Sequence, residues 1–178
     1  VPAVNKNFRF WRNTSVASLS AGQSVTLPYG TLGYEWDFEQ AAYSGSNPAG
    51  RITLSNTTSA GKTHKISLYR HSSGALVFGA GTVQWSWGLD SEHDRGNLPP
   101  SVTMQQATVN LFADMDVQPA TLQAGLVPAA ASGDNIAPSA SINVPPTGTT
   151  VQANAFLTFS GTATDAGGGV VAGVEIST

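Results

Sequence analysis

Cysteine is absent from the 178 residues of this chain, which excludes disulfide bridges, thiolate metal sites and a cysteine nucleophile within it. Charged residues are scarce at 11% of the chain, against about a quarter in a typical globular domain. Lys and Arg nowhere form a cluster and the net charge is −3, so we expect no nucleic-acid partner. No apolar run is long enough for a membrane span. Ser, Thr, Asn, Gln and Gly supply the polarity instead, a balance typical of secreted β-rich modules.

The chain pattern predicts two structural regions joined by a linker. It begins without a methionine and stops within a strand pattern, so we expect a piece of a longer protein. Residues 1–123 combine short alternating segments with one helical pattern, and residues 124–137 have the small-residue, Pro and Gly composition of a linker. Residues 138–178 show short strands separated by Pro and Gly turns, which predicts the N-terminal part of an all-β sandwich.

The stretch Lys65–Gly88 (KISLYRHSSGALVFGAGTVQWSWG) has the clearest pattern. It predicts a hairpin over residues 66–78, followed by a third strand over Thr82–Trp87. That strand leads into the ionisable loop Asp90–Arg95. Such an arrangement is typical of the carboxyl edge of an α/β sheet, where ligands bind just beyond the strand ends.

Other alternating segments predict further strands. In Phe8–Arg12 we expect the arginines to lie in solvent, with cation–π pairing to the neighbouring rings as the alternative. The tail predicts strands at 141–144, 150–151, 156–165 and 170–176. In the first region the remaining predicted strands are 25–27, 32–39 and 51–58.

A helix is predicted over Ser101–Met115, directly after two prolines. Ser101 or Thr103 is the candidate N-cap, and Thr103 with Gln106 has the spacing of a capping box. The residues expected on its buried face are Met104, Ala107, Thr108, Leu111, Phe112 and Met115.

The segment 32–39 holds the first candidate site. If it is a strand, Glu35, Asp37 and Glu39 share one face, opposite its aromatic residues. Carboxylates aligned in this way need solvent, a cation or hydrogen-bond donors. One interpretation is that Glu35 and Asp37 are an acid/base pair at the mouth of a site; the other is that both are solvated.

The loop after Trp87 holds the second candidate site. Asp90, Glu92, His93 and Asp94 are suited to a divalent ion or to acid/base chemistry, although a solvated loop explains the same residues. Trp87, with Trp85, is either a stacking floor for a sugar or planar ligand or part of the core.

Isolated polar residues elsewhere carry weaker signals. His64 and His71 lie near predicted turns and are expected at the surface. Asp134 and Asp165 have the acidic chemistry for a bridging cation, but ordinary turns account for both.

Two parts of the chain resemble known families. The strings TLGYEWD and GAGTVQWSWGLD, with FRFWRNTSVASL and MQQATVNLFADMDVQPATL, are similar to the C-terminal part of the N,N-dimethylformamidase large (beta) subunit-like domain. This resemblance covers residues 1–122. The tail, with IAPSASINV, GTATD and VEIST, resembles the start of a bacterial Ig-like domain.

The first resemblance implies a glutamine-amidotransferase-like α/β fold with a mostly parallel sheet, closed by the Thr82–Trp87 strand and the Ser101–Met115 helix. The named enzyme is an iron-dependent amidohydrolase that acts on small linear amides, with its metal held by tyrosines and a glutamate. We expect those ligands upstream of Val1, so we assign no metal ligand and no cofactor to this chain. Glu35 is the candidate general base or orienting group.

Two functional hypotheses follow. The first is an amide hydrolase, carried by a large secreted bacterial protein, whose metal site lies mainly in the rest of the parent chain; this piece is then inactive alone. Its candidate catalytic residues here are Glu35, Asp37 and His93, and Trp87 is the candidate ligand-binding residue. The second is a non-catalytic extracellular module that binds carbohydrate or protein, with Ig-like domains as spacers.

Overall fold

The computed structural model describes residues 1–176 in two units, of which the first ends at Ala131 and the second begins at Ser132. All strand pairs among these residues are antiparallel. The parallel sheet implied by the resemblance is therefore not seen in the described part of the chain, which is strand-rich and mixed. Within residues 1–176, no helix is both long and apolar enough to cross a membrane. The elements are β1 (Ile52–Thr53), β2 (Thr57–Ser59), β3 (Lys62–His64), β4 (Ser67–Arg70), β5 (Leu76–Gly79), α1 (Val102–Asp114), β6 (Ser139–Val144) and β7 (Ser160–Thr164).

The hairpin predicted over residues 66–78 is confirmed. Strand β4 pairs with β5, with Leu68 opposite Phe78, and β1 pairs along the other edge of β4. The turn closes with a hydrogen bond of 2.8 Å from Gly74 N to His71 O. Gly74 has a φ of +90°, a conformation that side chains with a Cβ rarely adopt. Gly74 and the alternating residues on either side of it therefore both indicate a hairpin, which is why the sequence predicts this element correctly.

The strand predicted over Thr82–Trp87 is wrong. The stretch ends in a 3₁₀ helix at Trp85–Gly88, and Thr82 contributes a single isolated β-bridge. Thr82 Oγ1 donates to Leu32 O at 2.7 Å and accepts from Gln84 N at 3.1 Å. Such side-chain bonds to the backbone compete with a strand ladder. The predicted closing βα unit is thus absent from the described residues.

Three further predicted strands are wrong or only partly right. Segments 25–27 and 32–39 form no strand. An isolated β-bridge joins Ser24 to Pro2, just before the first segment, and another joins Trp36, within the second, to Thr82. Segment 51–58 is divided into β1 and β2. The division lies where Ile66 N donates to Ser55 Oγ at 3.0 Å, so that a side chain takes the place of a backbone acceptor.

The segment Phe8–Arg12 contains a 3₁₀ helix rather than the predicted strand, and it anchors the core. Trp11 is fully buried, and its indole Nε1 donates to Leu54 O at 2.9 Å. Phe10 stacks on Phe78 with the ring centroids 5.3 Å apart. A buried indole needs an acceptor, so this bond fixes the segment against the sheet.

The arginines of this segment contact Asp114 at the end of α1 instead of lying free in solvent. Arg9 Nη2 lies 2.7 Å from Asp114 Oδ1, and Arg12 Nη1 lies 3.0 Å from Asp114 Oδ2. Desolvation lowers the pKa of Arg12, while Asp114 acts in the opposite direction. The alternative cation–π pairs of Arg9 and Arg12 are not found among the described residues. Asn110, fully buried, donates to Phe10 O at 2.9 Å and completes the connection.

Helix α1 confirms the predicted helix and its N-cap. Ser101 Oγ accepts a hydrogen bond from Met104 N at 3.3 Å. The capping box is wrong, because Gln106 instead donates to Val127 O at 2.9 Å. The predicted buried face holds only in its first part. Met104, Ala107 and Leu111 are buried, whereas Phe112 and Met115 are 44% and 37% exposed.

The second unit contains one antiparallel pair, β6 with β7, in which Ser139 lies opposite Thr164. An irregularity in register occurs between Ile142 and Val144. The predicted strands at 150–151 and 170–176 are not formed in the described residues. A strand needs a hydrogen-bonding partner, and these segments have none among residues 132–176.

Candidate ligand-binding cleft

An open cavity of about 820 Å³ lies in the first unit. Its walls come from residues 24–36, from segments around β2 and β3, and from residues 80–95. We call it the aromatic cleft, since its lining includes Tyr29, Tyr34, Trp36, Trp85 and Trp87. Most of the other lining residues are apolar or carry a hydroxyl or amide group.

Trp85 packs against two aromatic rings of the core. Its ring meets Phe78 edge-on, with the centroids 5.2 Å apart, and lies 6.3 Å from Phe10. This is the core packing that we predicted as one alternative. The same residue also lines the aromatic cleft, so its position is fixed independently of any ligand.

Trp87 stacks on His93, with ring centroids 4.4 Å apart and planes 11° from parallel. His93 Nδ1 lies 2.9 Å from Asp94 O, and because a carbonyl only accepts, Nδ1 carries the hydrogen. In the neutral ring Nε2 is then an acceptor. That atom is buried and has no hydrogen-bond partner among the described residues. The structure thus joins two predicted site residues, His93 and Trp87, in one stack.

The mouth of the cleft is shaped by Arg95 and Tyr34. The guanidinium carbon of Arg95 lies 4.0 Å from the centroid of the Tyr34 ring, within the range of a cation–π contact. The backbone N of Tyr34 donates a hydrogen bond to Oε1 of the buried residue Gln84 at 3.0 Å. Gly33 has a φ of +77°, and a Cβ there would collide with Gln84 Oε1. Gln84 therefore positions this wall, and glycine is required beside it.

Glu35 and Asp37 of segment 32–39 have different surroundings. Tyr34 and Trp36 line the aromatic cleft, while Glu35 lies between them in sequence and is exposed. Asp37 is also exposed and lines a second cavity of about 720 Å³. Neither carboxylate has a side-chain hydrogen bond or ion pair among the described residues. The structure does not bring Glu35 and Asp37 together as a pair, and their catalytic roles stay predictions.

Glu39, the third carboxylate, is paired with two cationic side chains, and a cation was one of the alternatives predicted for these carboxylates. Its Oε1 lies 2.6 Å from Arg51 Nη2, and its Oε2 lies 2.6 Å from Lys65 Nζ. Partial burial acts to raise the pKa of Glu39, but the hydrogen bonds and charges of Arg51 and Lys65 outweigh it and lower the pKa. Glu39 is therefore a structural anion in the wall of the second cavity.

His64 is buried, at 4% exposure, and the prediction of a surface residue is wrong. Its Nε2 lies 3.0 Å from Ala80 O, and its ring lies edge-on to Trp36 with the centroids 6.2 Å apart. A Cβ at Gly81 would approach Nε2 to 2.8 Å, so the missing side chain makes room for the imidazole. His71 is exposed, as predicted.

The described acidic and histidine side chains are dispersed. Within the part of the chain that the structure describes, no three His, Asp or Glu side chains converge so as to hold an ion. In the Asp90–Arg95 loop, Asp90 Oδ1 accepts a hydrogen bond from Glu92 N at 2.7 Å. These residues do not fit the iron centre that the resemblance implies, and we derive no chemical step through iron.

Several site-forming residues were missed by the sequence analysis. Tyr29, which is 91% exposed, carried no periodic signal because it lies in a turn. Gln84 falls within the predicted Thr82–Trp87 strand, where the alternation does not distinguish it from the other polar residues. Arg51 and Lys65 meet Glu39 only through the fold, so no spacing rule reveals their contact.

Comparison with known proteins gives one relationship. No curated protein matches the chain, and no solved structure does. The family described as N,N-dimethylformamidase beta subunit-like, C-terminal, matches residues 1–97, which is more than half of the chain. That region contains the whole aromatic cleft and the acidic segment beside it. The chain therefore belongs to the N,N-dimethylformamidase beta subunit-like, C-terminal family.

Proposed function

We propose that this chain is the C-terminal part of an amide-hydrolysing domain and that it contributes Glu35 to the catalytic site. The observation that carries the proposal is the exposed carboxylate of Glu35, which has no partner among the described residues and lies within the family-matched region. The backbone on either side of Glu35 is held by the hydrogen bond from Tyr34 N to Gln84 Oε1 and by the β-bridge between Trp36 and Thr82. The chain alone is then inactive, because the remaining catalytic groups lie in the rest of the parent protein.

In this proposal Glu35 acts as a general base or orients the attacking water. Its exposed carboxylate has no internal partner among residues 1–176, so it is available to accept a proton from water. Asp37 and His93 are the further acid/base candidates. Trp87, the candidate ligand-binding residue, packs on His93 and lines the cleft. Any iron is held by residues other than the clusters described above.

The remaining parts of the proposal concern the parent protein. A glutamine-amidotransferase-like fold would be completed by strands outside the described residues. The second unit would be the start of an Ig-like spacer, for which the antiparallel β6–β7 pair is the supporting feature. The low charge, with polarity supplied by Ser, Thr, Asn, Gln and Gly, suits a large secreted bacterial protein.

The decisive experiment uses the intact parent protein and a panel of small linear amides that includes formamide, N-methylformamide and N,N-dimethylformamide. Release of the amine and the carboxylate is measured. Glu35→Gln is expected to lower the rate at least about tenfold with unchanged stability. Glu175→Gln, an exposed glutamate in the second unit, is the matched control. An intact protein that hydrolyses none of the panel removes the amidase proposal, and an active Glu35→Gln variant removes Glu35 from it.

A non-catalytic binding protein is the second candidate, and one observation favours it. The described lining of the aromatic cleft contains no Asp or Glu. The cleft thus offers surface for binding but no carboxylate of its own for chemistry. Binding to the cleft in a protein without hydrolytic activity would select this candidate.

A further inference from the structure

The size of the aromatic cleft does not suit a very small amide. Its volume of about 820 Å³ lies in the upper part of the range of about 300–1,000 Å³ that is typical of sites for drug-sized ligands. N,N-dimethylformamide would leave most of this space to water. A ligand that covers the lining must therefore be considerably larger.

The exposed rings in the cleft indicate what kind of surface such a ligand presents. Tyr29 is 91% exposed and Tyr34 is 60% exposed, although both line a concave site. Trp36, Trp85 and Trp87 are partly covered by their protein neighbours and form the base. Rings that remain open within a cleft offer flat apolar faces with a negative quadrupole, which attract polarised C–H groups. One face of a sugar ring carries such C–H groups.

Apart from Arg95 and His64, the polar side chains of the lining carry hydroxyl or amide groups. Arg95 is the one Lys, Arg, Asp or Glu side chain among the described lining residues. A cationic ligand would find no carboxylate here, and a polyanion would find one guanidinium. A ligand with many hydroxyl groups matches these donors and acceptors. The neutral polar side chains of the lining without a hydrogen bond among the described residues are Ser24, Thr26, Asn56, Thr57 and Ser59. Those of Thr31, Ser55, Thr82 and Gln84 already bond to the backbone.

From these observations we propose that the aromatic cleft binds a neutral oligosaccharide. Sugar rings stack on the open faces of Tyr29 and Tyr34, and Arg95 donates hydrogen bonds to hydroxyl groups at the mouth. Arg95 already lies 4.0 Å above the Tyr34 ring, so the sugar would use the face that this contact leaves open. The inference goes beyond the proposed amidase function and does not depend on it.

The test uses the 178-residue chain and isothermal titration with a panel of hexasaccharides from cellulose, xylan, mannan, starch and chitin. At least one of them is expected to bind. Tyr29→Ala and Tyr34→Ala are each expected to weaken that binding at least about fivefold through loss of stacking. Tyr43→Ala is the matched control, since Tyr43 is 65% exposed and lines the second cavity instead. Circular dichroism of each variant checks that the fold is retained.

Two kinds of result would overturn the proposal that the aromatic cleft binds an oligosaccharide. One is the absence of binding by every hexasaccharide at millimolar concentration. Another is binding that Tyr29→Ala and Tyr34→Ala leave unchanged, or that Tyr43→Ala weakens equally. Neither result bears on amide hydrolysis, which is measured separately with small amides, so the two proposals fail independently.

Discussion

Arg12 binds both carboxylate oxygens of Asp114, with Nη1 and Nη2 each 3.0 Å from its oxygen partner. Arg9 contacts the same carboxylate at 2.7 Å. Asp114 lies at the C-terminal end of α1, where the helix dipole disfavours a negative charge. The two guanidinium groups offset that effect and connect the helix to the first residues of the chain.

Asp114→Ala is expected to lower the free energy of unfolding by about 1–3 kcal/mol, because it leaves the partly buried guanidinium group of Arg12 and the more exposed one of Arg9 without their anion. Urea denaturation of the wild type and the variant measures the change. Asp94→Ala is the control. Its pair with Arg95 is long, at 3.5 Å, and both side chains are more than 60% exposed, so a change within about 0.5 kcal/mol is expected. Equal effects of the two substitutions would contradict the structural role of Asp114.

Gly33→Ala tests the contact that positions the cleft wall. The added Cβ would collide with Gln84 Oε1, in addition to the strain of a side chain at a φ of +77°. Gly22→Ala isolates the strain, since Gly22 has a φ of +82° and open space around it. We expect about 1 kcal/mol of destabilisation for Gly22→Ala and at least about 2 kcal/mol for Gly33→Ala. If thermal unfolding ranks the two variants as equal, Gln84 does not fix this wall.

Glu39 gives the stability a defined dependence on pH. Its pKa in the folded protein is lowered, so between the folded pKa and the unfolded pKa the unfolded chain binds more protons. Its contribution is therefore fully present above the unfolded pKa, about 4.3, and is lost as the pH falls through the lower folded value. Urea midpoints measured from neutral pH to about pH 3 should fall less steeply for Glu39→Gln than for the wild type. Parallel curves would refute the role of the Arg51–Glu39–Lys65 cluster.

His93 offers a test that separates stacking from hydrogen bonding. His93→Phe keeps a ring against Trp87 and removes the unpartnered Nε2, so its stability is expected to equal or exceed that of the wild type. His93→Ala loses the stack, with an expected loss of about 0.5–1.5 kcal/mol. Limited proteolysis in the 90–97 loop should show faster cleavage for the alanine variant alone. His71→Phe, at an exposed site, serves as the control for adding a ring.

The elements that the sequence predicted correctly are those determined by neighbours in the chain. The hairpin around Gly74 and the Ser101 cap of α1 both depend on residues a few positions apart. The alternation over residues 82–87 predicted a strand that is not formed. The side chains of Thr82 and Gln84 instead bond to the backbone of Leu32 and Tyr34, which are distant in sequence. For the same reason, Trp87 could be named as a candidate ligand-binding residue, whereas Tyr34 and Trp36 could not be recognised as walls of the same cleft.

The contacts of α1 set a limit on how this chain can be divided. The family region ends at residue 97, whereas Ala107 and Leu111 of the helix belong to the same core as Phe10 and Trp11. A truncation at the family boundary would strip this apolar surface of its cover and leave it open to aggregation. Expression of the cleft for biochemistry or crystallisation should therefore extend to Ala131, where the first unit ends.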